Sequence, residues 1–238
     1  MNSETKTFFC SGLKRSGSTW SFNVSRILLN TRLGNIHAGY VGEGEAVDSF
    51  LSNAPKGEPI LLKFHYPTPN TIGIVKKGLA KNLYTVRNPL DAIASEMEFF
   101  KAPFELALTN IHAGLKLMDE WKSFPGTLFI DFSDLSLNPC LEIKKIADHF
   151  ELNITDSDIH EIDTKTTFKK AKELSESMSE WSAERLLQFS GVTYDPVTLI
   201  HASGHASQGI ERDWRNTLTH EQEKIVRKTL ASWIEKYE

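Results

Sequence analysis

Three short runs along this chain carry groups suited to chemistry on anions. The first is Gly12-Leu13-Lys14-Arg15-Ser16-Gly17-Ser18-Thr19. It follows the phosphate-loop spacing G-x-x-x-x-G-K-[ST], except that Ser18 stands where a nucleotide triphosphatase carries its lysine. Glycines let such a loop curl until its amide hydrogens and the start of the next helix face an anion. Lys14 and Arg15 place two cations inside it. The second run is Lys63-Phe64-His65, whose alternation puts the ammonium and the imidazole on the same side of a strand. Imidazole titrates near neutrality, so His65 is a candidate general base. The third is Arg87-Asn88-Pro89 with Ser95 farther on, a guanidinium and a hydroxyl able to grip a second phosphate.

Taken singly, each run has a plain structural explanation: a tight turn, a satisfied histidine, a surface ion pair. The elements that must position them argue for treating them together. Apolar runs predict strands over residues 7–10, 59–66, 82–89 and 126–132. Helical periodicity covers 18–30, 104–121, 141–150 and 219–238. Strands separated by helices imply a parallel sheet with both faces covered. The expectation is an α/β protein, a single P-loop-like domain over residues 1–238 with a central parallel β-sheet flanked by helices on both faces. Ligands of such sheets bind at the carboxyl ends of the strands, where all three runs fall.

Composition narrows the partners. A formal charge of −4 argues against general affinity for nucleic acid, so any anion site is a local cluster of basic groups. Lys76, Lys77 and Lys81 read as a solvated face. Cys10 and Cys140 have no metal-ligand spacing and read as two small buried hydrophobes in a reducing compartment. Neither a basic segment leading into an apolar one at the N-terminus nor an apolar run of roughly 18 residues is present. These features predict a cytoplasmic protein, without membrane or nucleic acid as partner.

Together the runs resemble the PAPS-dependent sulfotransferases of the cytosolic type, whose donor is 3′-phosphoadenosine 5′-phosphosulfate (PAPS). The family signature P-K-S-G-T-T-W is similar to Lys14-Arg15-Ser16-Gly17-Ser18-Thr19-Trp20, and its K-x-H to Lys63-Phe64-His65. The R-x-P-x-D-x-x-x-S signature is similar to the run from Arg87 through Asp91 to Ser95. Thr166-Thr167-Phe168 resembles the T-S-F adenine segment, and residues 209–219 the C-terminal G-x-x-G-D-W-[KR]-N-x-[FL]-T. One position departs: Ser207-Gln208-Gly209 stands where the family has Arg-Lys-Gly contacting the 3′-phosphate.

The resemblance implies roles. Arg15 and Lys63 would stabilise charge on the bridging oxygen and the transferred group, and His65 would deprotonate the acceptor. The loop amides from Lys14 through Gly17, with the Ser18 and Thr19 hydroxyls, would hold the 5′-phosphate. Arg87 and Ser95 would bind the 3′-phosphate, assisted by Ser207, Gln208 or the Gly209 amide. Trp20, Thr167 and Phe168 would flank adenine. Fixed cations would replace a metal, because a phosphosulfate presents less charge at the reacting centre than a triphosphate. Two other readings stay open: a P-loop small-molecule kinase, with Asp131 at a strand end holding magnesium, and a non-catalytic nucleotide-binding protein of the same fold. The acceptor is a hydroxyl or amine of a small molecule, with a compact specialised metabolite favoured by the short chain.

Overall fold

The computed structural model describes residues 6–42, 45–189, 191–202 and 213–237. Its first strand, β1 (Thr7–Gly12), alternates between two cores: Phe8 and Cys10 enter one, Phe9 the other. The basic loop follows, then helix α1 (Ser18–Leu33). A short strand β2 (His37–Tyr40) and helix α2 (Glu45–Ser52) lead to β3 (Ile60–Lys63). Helix α3 (Pro69–Lys76) starts at a reciprocal cap between Thr68 and Thr71. It leads to β4 (Ala80–Val86). Asn88 caps the next helix, α4 (Pro89–Phe100), and Pro89 occupies its first turn, where a missing N–H costs nothing. Then come α5 (Phe104–Trp121), β5 (Thr127–Asp131), α6 (Phe132–Leu137) and α7 (Pro139–His149). Helices α8 (Asp156–Thr166) and α9 (Phe168–Ser177) precede a hairpin of β6 (Leu187–Phe189) and β7 (Val192–Tyr194). The chain closes with α10 (His220–Thr229) and α11 (Ala231–Ile234).

All five strands of the main sheet are parallel, in the order β2-β3-β1-β4-β5. From β1 the chain runs out to the edge at β2, returns to β3, then crosses to β4 on the other side. The connections beside β1 therefore diverge, and a crevice opens at its carboxyl end. One core layer joins the sheet to α4, α5 and α10 through Ile93, Ile111, Leu115 and Val226. The other joins it to α1, α7 and α8 through Phe22, Leu28, Ile146 and Ile162. No described helix is long and apolar enough to cross a membrane.

Several expectations need correction. The strand expected over 59–66 stops at Lys63, so His65 lies just beyond it rather than within it. Strand β2 and the hairpin were not foreseen. The terminal helix breaks at Leu230, which is fully buried. Val226, Leu230 and Ile234 keep helical spacing across the break and enter the same core, so the periodicity conceals it. Cys10 is buried as expected, and burial pushes its thiol up to about 12. Cys140 is exposed, because it sits in the first turn of α7 facing away from the core.

Candidate functional site

Left-handed backbone shapes the basic loop at Arg15 (φ 65°) and Gly17 (φ 89°). A Cβ on Gly17 would stand 2.9 Å from the Leu135 side chain, so the turn admits no larger residue. Ser16 turns inward: its hydroxyl bonds the Leu13 carbonyl and lies 2.6 Å from the Thr85 hydroxyl. Only the Ser16 backbone is therefore available to a ligand. No side chain caps the start of α1, which leaves its first amides to an outside acceptor.

A cavity of about 990 Å³ opens above this loop, at the upper end of the usual range for ligand sites. Lys14, Arg15, Gly17, Ser18, Thr19 and Trp20 line it, together with Lys63, His65, Arg87, Ser95, Thr167 and Phe168. Three separate strand ends thus meet on one space. Ser207, Gln208 and Gly209 lie outside the described residues.

Lys63 is the last residue of β3 and is 6% exposed. Its ammonium stands 4.9 Å from the centre of the Tyr40 ring, on the neighbouring strand. Burial, opposed by Cys10 and aided by Arg15, lowers it to about 8. His65 places Nδ1 2.9 Å from the Gly12 carbonyl oxygen. A carbonyl only accepts, so Nδ1 carries the hydrogen and Nε2 keeps its lone pair. Burial, followed by the Lys63 charge, holds this imidazole down to about 3. It is a neutral imidazole with a fixed tautomer.

Arg15 donates from Nε to Ser95 Oγ at 3.2 Å and lays its guanidinium 4.0 Å from the Phe99 ring centre. Arg87 donates from Nη1 to the Arg15 carbonyl at 3.1 Å and covers the Phe132 ring at 4.1 Å. Sequence reasoning paired Ser95 with Arg87; the fold joins Ser95 to Arg15, whose carbonyl Arg87 holds. Phe132 also meets Phe168, with ring centres 6.0 Å apart, and Trp20 is buried in the same core layer. Thr167 caps α9, accepting from the Lys170 amide. Asp91 is not in the cavity: it accepts the Trp214 N–H at 3.3 Å, tying the second signature to the C-terminal one.

Asp131, the candidate magnesium ligand of the kinase reading, is otherwise engaged. It caps α6 through the Ser133 amide, accepts the Tyr237 hydroxyl at 2.8 Å, and lies 3.6 Å from Lys236. Among the described residues, no group of three or more His, Cys, Asp or Glu side chains is gathered as metal ligands.

Sequence reasoning missed Tyr40, Glu96, Asn110 and His201, all of which line the cavity. Tyr40 sits in the overlooked strand β2. His201 pairs with Tyr194 beside the hairpin, and burial with Lys63 and Arg15 presses its imidazole to about 3. For Glu96 the signal was faint: an acid directly after Ser95 on a helix, pointing nowhere in particular until α5 is in place.

Comparison with known proteins follows this geometry. A family model described as "Sulfotransferase domain" matches residues 47–238. No curated protein matches the chain by sequence. Among solved structures, retinol dehydratase in complex with androsterone and inactive cofactor PAP superposes with a TM-score of 0.65 at 17% identity, over 95% of this chain and 80% of that one. A mouse sulfotransferase complexed with PAP gives a TM-score of 0.66 at 17% identity, over 98% and 89% of the two chains. Retinol dehydratase in a complex with retinol and PAP gives 0.65 at 17% identity, over 96% and 81%. At these identities the likeness is one of fold.

Proposed function

The chain belongs to the sulfotransferase domain family, and from that premise we propose that it transfers the sulfuryl group of PAPS to a hydroxyl or amine of a small molecule. The observation that carries this reading is the meeting of Lys63 and a neutral, tautomer-fixed His65 beside a phosphate loop that lacks the triphosphatase lysine. The donor set fits PAPS. Lys14, Arg15, Lys63 and Arg87 supply cations for two phosphates and a sulfate, and Trp20 and Phe168 supply apolar surface for a base.

In this reading His65 Nε2 takes the proton of the attacking hydroxyl or amine. A bond forms from that atom to sulfur on the face opposite the phosphate. The sulfur–oxygen bond to phosphate breaks, and its electron pair leaves on 3′-phosphoadenosine 5′-phosphate (PAP). Lys63 and Arg15 hold the charge that gathers on the parting oxygen. Such preorganised groups are worth far more in a water-poor site than in bulk solvent. The kinase alternative loses its support, since its proposed metal ligand Asp131 is committed to α6, Tyr237 and Lys236.

The direct test is transfer from sulfur-labelled PAPS to a panel of small phenols, alcohols and amines in excess chelator. Labelled product should form at the rate seen without chelator. Magnesium-dependent phosphate transfer from ATP would overturn the reading.

The 3′-phosphate provides a second check. Arg87 is 5% exposed and lines the same cavity as Ser95. A charge-assisted contact to phosphate contributes about 1.5–3 kcal/mol, so Arg87→Ala should weaken PAP binding roughly 10- to 100-fold. AMP lacks the 3′-phosphate and should lose much less, nearly erasing the preference for PAP. Calorimetric titration with both nucleotides decides it: undiminished discrimination would assign that phosphate to another residue.

A further inference from the structure

The cavity extends past the donor groups toward α4 and α5. Its wall there is mostly aromatic and aliphatic, from Tyr66, Phe100, Ala102 and Leu106, with one acid, Glu96, set among them. Glu96 is 2% exposed, a degree of burial that a carboxyl group tolerates only with partners. Asn110, one helix away, donates from Nδ2 to Oε1 at 3.2 Å. The other oxygen, Oε2, is buried with no hydrogen-bond partner among the described residues. Burial pushes the carboxyl up from its ordinary value, while Lys14 and Arg15 pull it back down.

Leaving a buried acceptor unpaired costs the whole desolvation penalty of that group. The phosphates and the sulfate of the donor do not relieve it, because they bring only more negative charge. A ligand cation does. The cations that act on Glu96 are Lys14 and Arg15, and the donor's anionic groups lay claim to both once the nucleotide is bound.

Resting on the sulfotransferase reading above, we propose that Glu96 and Asn110 form the distal anchor of the acceptor site. The acceptor carries a protonated amine at that end, in addition to the group sulfated at His65. The apolar wall between the two ends takes the body of the molecule. The substrate class is therefore a compact amino-phenol or amino-alcohol rather than a neutral sterol-like alcohol.

The test uses two probes that differ only in the amine, tyramine and para-ethylphenol, titrated calorimetrically into protein saturated with PAP. Tyramine should bind at least about tenfold more tightly, the worth of a hydrogen bond to a charged group. Glu96→Gln should bring the two within about twofold of each other. A PAP titration of the variant reports whether it is folded, and the wild-type comparison stands even if it is not. Equal binding of the probes, binding of neither, or a preference that survives in folded Glu96→Gln would each overturn the amine anchor. Such results with PAP still bound leave sulfuryl transfer standing. Failure of wild-type protein to bind PAP would bring down both.

Discussion

Replacing His65 with alanine should lower turnover by roughly 10²- to 10⁴-fold, the usual contribution of a positioned general base. Nδ1 of the imidazole is tied to the Gly12 carbonyl, which leaves Nε2 to accept a proton. Removing it takes away the base without touching the side chains assigned to phosphate. PAP affinity should therefore stay within a few-fold of normal while single-turnover sulfation collapses. The pH profile carries a further mark of this base. Because burial and Lys63 hold His65 to about 3, kcat/KM should not fall as pH drops through 6.5, where an ordinary imidazole would take up its proton. A variant within a few-fold of normal turnover, or an acid limb at the ordinary imidazole value, would give the proton-accepting role to another group.

Lys63→Ala should cost roughly 10²- to 10³-fold in turnover, comparable to losing one preorganised donor to a developing oxyanion. The ammonium is confined at the tip of β3, between Tyr40 and the loop, where water cannot replace its charge. Burial lowers Lys63 to about 8, so kcat/KM should decline on the alkaline side near that value instead of near 10.5. The sign follows from the active form being the protonated one: activity is present below the lowered value and lost above it. Arginine stays charged throughout, so Lys63→Arg should remove this limb even if its bulk reduces the rate. An alkaline limb unchanged in Lys63→Arg would mean that a different group is titrating.

Much of the proposed donor half of the candidate site was legible in the sequence, because local chemistry marks it. The loop needs glycine at position 17 and a helix directly after it, and both requirements appear as adjacent letters. Helix α5 was readable to its last residue, since its apolar face repeats without a break from Phe104 to Trp121. Strand β2 was not. Its four residues are all half-buried and include a glycine, and they become a strand only by pairing with β3. That pairing brings Tyr40 to Lys63, so the aromatic partner of the Lys63 ammonium stayed hidden with it. Glu96 illustrates the same limit. A helix position shows that a residue is present, whereas its burial depends on which helix packs alongside. The contact of Arg15 with Ser95 also spans two elements far apart in the chain, and no spacing rule announces it.

The two core layers lie on opposite faces of the sheet. Trp20 and Phe168 belong to the layer of α1 and α8, whereas Phe104, Ala107 and Ile111 of α5 belong to the other. The sheet between them works as a bulkhead. Repacking on the α5 side should be absorbed on that side, away from the layer that holds Trp20 and Phe168. Such a molecule can be retailored for new acceptors one residue at a time, with the nucleotide half left as standard equipment. The junction offers no such freedom, since His65 hangs from the Gly12 carbonyl at the root of the phosphate loop. A shift there would misalign the base and the leaving group together.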